Sequence, residues 1–186
     1  MPTGRLGGTL FQIDLVKYPD VFLRNKSHEV KFPLDDKTER LIKWMTKAMY
    51  QHHGIGLAAV QVGYLQRIFV MDCTRSRENP KAYINPEIVE KSDETLRDSE
   101  GCLSAPGKQG DVKRHLRIIL KYQNYKDEEA EEHTKTFYDL EARCIQNEMD
   151  HLDGKLCIDY EKGEYSRDKH KSQTMVESDF RAKSDT

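Results

Sequence analysis

The chain has 186 residues, a formal net charge of −2, 33% charged residues and 37% hydrophobic residues. That length fits one domain, and the near-cancelling charge lacks the basic excess of a general nucleic-acid grip, so no specific nucleic acid is expected. No run of about 18 apolar residues is present to span a membrane, and the start, Met1-Pro2-Thr3-Gly4-Arg5, lacks the apolar stretch of an export signal.

The expected location is therefore cytoplasmic, or the equivalent reducing compartment of an organelle. There, Cys73, Cys102, Cys144 and Cys157 read as core residues, metal ligands or nucleophiles rather than disulfide partners. In chain order, residues 11–30 read as extended or irregular, with Tyr18-Pro19-Asp20 as a turn signal. Residues 36–53 read as a helix: Leu41, Met45, Ala48 and Met49 form a stripe, Asp35 or Asp36 caps the start and Gly54 ends it. A small-residue segment, 54–63, follows. Strands are expected at 67–71, at 82–84 (stopped by Asn85-Pro86) and at 116–122, with 123–135 as a loop or exposed turn. A second helix is expected over 136–151, where Thr136 and Asp139 resemble a capping box and Gly154 is the stop. This order lacks a βαβ rhythm and predicts an α+β domain over 1–160. The tail, 161–186, has six acids, six bases and few apolar groups, and is expected to be loosely docked or disordered.

Three segments carry candidate chemistry. In Gly54-Ile55-Gly56-Leu57-Ala58-Ala59-Val60-Gln61, glycines allow close backbone approach and Gln61 offers an amide donor for an oxyanion. In Glu100-Gly101-Cys102-Leu103-Ser104, Cys102 can ligate a metal or act as a nucleophile. Gln146-Asn147-Glu148-Met149-Asp150-His151 has the shape of H-E-x-x-H with Asn147 at the first histidine position; in the intact motif, i and i+4 imidazoles share a helix face and reach one metal. Taken singly, each segment also reads blandly, as a helix end with a tight turn, a buried thiol and a polar helix terminus.

Taken together, and in this order, the segments resemble the three signatures of the peptide deformylases, G-x-G-L-A-A-x-Q, E-G-C-L-S and Q-H-E-x-D-H. Pro19-Asp20, Leu23-Arg24, Ile84-Asn85-Pro86-Glu87 and residues 154–160 extend the resemblance over about 11–160. It implies an α+β fold with mostly antiparallel strands around a central helix that carries the third motif. It also implies one divalent metal, Fe2+ or in its place Zn2+ or Ni2+, with Cys102, His151 and Asn147 at the ligand positions. Glu148 matches the catalytic acid/base, and Gln61 with the Leu103 N–H matches the oxyanion donors. Ile55, Gly56, Glu100, Leu140 and Cys144 match positions around the substrate. The implied activity is removal of the formyl group from formyl-methionine on nascent chains, with ribosome-borne peptides as partners and a monomer as the working unit.

Asn147 departs from the pattern. An amide oxygen is a poorer ligand for these metals than imidazole. Three outcomes are open: it coordinates weakly, water takes its place, or no metal binds. His52, His53, His115 and His133 carry no spacing that selects one of them as a substitute.

Overall fold

The computed structural model describes residues 14–125 and 130–160. Helix α1 spans Asp36–Gln51; strands β1 to β7 span Gly56–Ala58, Ile68–Met71, Lys81–Lys91, Thr95–Gly101, Gln109–His115, Arg117–Gln123 and Glu132–Tyr138; helix α2 spans Asp139–Leu152. Short 3-10 turns lie at Val21–Arg24, Ala59–Val62 and Cys157–Asp159. The strands form an antiparallel sheet of order β1-β2-β3-β6-β7 and an antiparallel β4-β5 ribbon. This is the α+β class expected from the sequence.

Helix α1 starts where expected: Asp35 accepts a hydrogen bond from Thr38 N at 2.8 Å, satisfying one of the orphan donors of the first turn. It buries Leu41, Ile42, Met45, Ala48 and Met49. It stops at Gln51, and the chain turns through His53 in the left-handed conformation (φ 57°), just before the expected stop at Gly54. The apolar run of β2 is buried on both sides, because the sheet carries a helix on each face. Ile68 and Val70 pack toward α1, while Phe69 and Met71 pack toward α2, as the two-residue period of a strand requires.

Three expectations are corrected. Asn85-Pro86 does not end the second strand: β3 continues to Lys91, with a register shift between Ile84 and Glu87. Asn85 makes this bulge possible, taking φ 48° and exchanging 2.8 Å hydrogen bonds with both Val30 N and Val30 O, while the bulge accommodates the proline. Residues expected as a loop supply part of β7, and Thr136 pairs with Ile119 in that strand instead of capping a helix. Helix α2 therefore begins at Asp139, after Tyr138, and its end is closed by Gly154 at φ 74°. The tail, 161–186, lies outside the described residues. Among the described residues no helix is long and apolar enough to cross a membrane.

Helix α2 contacts β1, β2, β6, β7 and β5, so it lies between the sheet and the ribbon. Its inward residues, Cys144, Ile145, Gln146, Glu148 and His151, are all buried. Two glycines permit close approaches around it: a Cβ at Gly110 would clash with the Cys157 carbonyl, and one at Gly154 with the Arg24 carbonyl. The second junction is further tied by the Arg24–Asp159 ion pair.

Candidate active site

The three sequence segments meet in one cleft of about 1130 Å³ lined, among others, by Gly56, Gln61, Cys102, Leu103, Glu148 and His151. Cys102 follows β4, and His151 sits in the last turn of α2. Their Sγ and Nε2 atoms lie 3.4 Å apart. His151 Nδ1 is 3.1 Å from the Lys155 carbonyl, which accepts its N–H and leaves Nε2 facing Cys102. Such a second partner fixes tautomer and ring orientation in metal-ligating histidines.

Gln61 is anchored in the same way. Its Oε1 accepts from Ala58 N at 2.8 Å, so its Nε2 points into the cleft, 3.2 Å from Ser104 Oγ and 3.6 Å from Cys102 Sγ. The loop holding Leu103 is strapped by Lys17, whose Nζ donates to Leu103 O at 2.8 Å, and by Tyr18 N donating to Ser104 O at 2.7 Å. The opposite wall, at 54–56, is held by Arg77, which donates to Gly54 O at 2.5 Å, and by Asp72 N donating to Ile55 O at 2.9 Å. Asp72 in turn accepts from Tyr50 Oη at 2.5 Å. Leu140 stands at the mouth of the cleft, 42% exposed, while Cys144 is buried in its wall.

Glu148 is buried, and its Oε2 has no hydrogen-bond partner among the described residues. Burial pushes its carboxyl up to about 8, with Cys73 and Glu100 adding to the effect. Burial likewise pushes the Cys102 thiol up to about 12 and brings His151 down to about 4. A cation between Sγ and Nε2 needs a thiolate and a neutral imidazole. The histidine is already held neutral, and a positive charge in the cleft that Glu148 also lines would offset the burial of its carboxyl. The donor set thus fits a divalent cation of the Fe2+ or Zn2+ kind at two protein positions. Among the described residues no third His, Cys, Asp or Glu joins them.

Glu100 and Asn147 also line this cleft, and their side chains meet there. The Glu100 carboxylate, expected around the substrate, carries four hydrogen bonds. It accepts from Arg114 Nε at 3.0 Å and Nη2 at 2.8 Å, from Arg143 Nη1 at 2.6 Å, and from Asn147 Nδ2 at 3.0 Å. Despite burial, these partners hold it below the usual carboxylate range. Arg114 also donates to Asp150 Oδ2 at 2.6 Å, as does Tyr160 Oη at 2.6 Å. This buried network clamps α2 to the β4-β5 ribbon, and so sets His151 against Cys102. Sequence reasoning missed Arg114 and Arg143, since nothing distinguishes them among the 30 lysines and arginines of the chain.

Residues 13–167 match the polypeptide deformylase family. This chain belongs to that family. The deformylase relatives include the peptide deformylase of Phenylobacterium zucineum, 41% identical over 149 residues, covering 79% of this chain and 86% of the relative. That of Pseudothermotoga lettingae is 46% identical over 140 residues, covering 75% and 77%. The crystal structure of peptide deformylase from Thermotoga maritima superposes with a TM-score of 0.75 at 38% identity, covering 82% of this chain and 99% of that one. The deformylase likeness thus spans the same segments that build the cleft.

One glycine in the deformylase cleft has a direct consequence. A Cβ at Gly56 would overlap Glu148 Oε1 and lie 2.8 Å from Cys144 Sγ. Gly56→Ala is expected to fold yet lose roughly 100-fold or more in turnover, because an ångström-scale misplacement at a reacting centre costs about that much. Steady-state kinetics with circular dichroism check this; unchanged turnover would show that Glu148 does not work from this position.

Proposed function

We propose that the chain hydrolyses the formamide at the N-terminal formyl-methionine of peptides, assisted by one divalent cation, Fe2+ or in its place Zn2+ or Ni2+. The observation that carries this reading is the 3.4 Å approach of Cys102 Sγ to His151 Nε2, beside a buried carboxylate whose Oε2 has no partner among the described residues. Cys102 and His151 would hold the cation, which supplies Lewis acidity to the carbonyl and the attacking water.

The chain's own residues do the rest. With its carboxyl ionised once a nearby cation offsets its burial, Glu148 takes the proton from the water as it attacks the formyl carbon. Gln61 Nε2 and the Leu103 N–H donate to the oxyanion that develops; such fixed donors contribute about 100–1000-fold each. Glu148 then returns its proton to the departing amine, so formate leaves and the peptide keeps a free N-terminal methionine. The methionine side chain packs toward Ile55, Leu140 and Cys144. Nascent chains at the ribosome are the fitting natural substrates, met in the cytoplasm or an equivalent organelle compartment by a monomer.

A second reading is favoured by the Asn147–Glu100 hydrogen bond: a deformylase-like module that binds N-terminal peptides with weakened or no catalysis. The two separate when the purified chain, supplied with Zn2+ or Fe2+, is incubated with a formyl-Met peptide. Mass spectrometry showing loss of the formyl group supports hydrolysis. Calorimetric binding of the intact peptide without loss supports the module, and neither result rejects both.

A further inference from the structure

Asn147 stands at a family ligand position, yet its side chain is engaged elsewhere. Its Nδ2 donates to Glu100 Oε2 at 3.0 Å. That acceptor is itself fixed by the two-pronged hydrogen bonds from Arg114, and its second oxygen by Arg143. Side chains this buried (6% exposed for both Glu100 and Arg114) do not reorient freely. An amide has one donor end and one acceptor end, so turning the oxygen toward Glu100 would set it against a carboxylate. The amide oxygen also ends one bond nearer Cβ than the Nε2 of an imidazole does. It is a neutral, hard donor, poorly matched to a cation held by sulfur and imidazole.

We propose that Asn147 is not a ligand: Glu100 retains its side chain, so the cation would be held by Cys102 and His151 alone among the protein groups. This rests on reading the cleft as a cation-assisted deformylase centre. Asn147 keeps a tie between α2 and Glu100, while giving up the third protein bond to the cation. A histidine in its place can make both contacts, donating Nδ1–H to Glu100 while presenting Nε2, as metal-ligating histidines commonly do with a nearby carboxylate. The centre in this chain is therefore a weak, readily exchanged site, and its occupancy follows the free metal concentration.

The test is equilibrium Zn2+ binding to the full chain, read by competition with a chromophoric chelator, with no peptide present. Folding of each variant is checked by circular dichroism. Asn147→Ala is expected to bind Zn2+ within about threefold of the unsubstituted chain, since a non-ligand is removed. Asn147→His is expected to bind more than tenfold tighter, as about 10–100-fold already separates good from poor support of a metal ligand. A tenfold or greater loss in Asn147→Ala overturns the proposal, because it makes the amide a ligand. Equal affinity of Asn147→His and the unsubstituted chain also overturns it. Because zinc affinity is read without turnover, failure here is distinct from failure of the deformylase reading, which formyl loss from peptide decides.

Discussion

Glu148→Gln is expected to abolish formate release almost completely, lowering kcat about 100- to 10,000-fold, the range contributed by a positioned proton-transfer group. The substitution is nearly isosteric and removes only the ability to accept and return a proton. Glu148 lies in the cleft with Cys102, His151 and Gln61, and its Oε2 makes no hydrogen bond among the described residues. That oxygen is therefore not committed to the scaffold. The contacts expected to hold the peptide, at Ile55, Leu140 and Cys144, are untouched. KM is thus expected to stay within about twofold, the signature of an interaction made in the transition state alone. A Glu148→Gln enzyme retaining more than a tenth of normal kcat would remove Glu148 from the chemistry.

Arg114→Met is expected to carry the largest cost in stability, about 3–5 kcal/mol, the range seen when one partner of a buried ion pair is removed. Arg114 pairs with Glu100 and with Asp150, and methionine would leave the buried Glu100 and the partly buried Asp150 without their shared cation. Arg143 still reaches Glu100, which sets Asp150 as the more exposed to loss. The clamp joins α2 to the β4-β5 ribbon, so the same change is expected to loosen Cys102 relative to His151 and weaken metal binding. Urea unfolding followed by circular dichroism measures the first effect. A loss under about 1 kcal/mol would mean that the network contributes little to the fold.

Much of this architecture was readable from apolar spacing. The α1 stripe, the β2 run at 68–71 and the Ile-rich β6 have their buried residues where the periods of 3.6 and 2 put them. The ribbon was not readable: Thr95–Gly101 and Gln109–His115 are mostly polar, and Leu96 is 50% exposed. They pair with each other and lie against α2, so their order comes from tertiary contacts that local pattern does not carry. The start of α2 was misplaced because pairing of Glu132–Tyr138 with β6 overrode a three-residue capping signature. The same contrast holds in the cleft. Gln61, Cys102 and His151 are each part of a short motif and were visible as such. Glu100 lay in a motif too, but its three partners come from distant positions in sequence, and only the folded chain shows that it faces Arg114, Arg143 and Asn147. Asn147 was visible as a departure, whereas the carboxylate that retains it was not.

A crystal structure of the full chain grown with Zn2+ would test the centre most directly. It should place one zinc about 2.3 Å from Cys102 Sγ and about 2.0–2.1 Å from His151 Nε2, with a water on the zinc beneath Glu148 and Asn147 still on Glu100. Zinc bound elsewhere, or a Cys102 and His151 that do not share one ion, would contradict it.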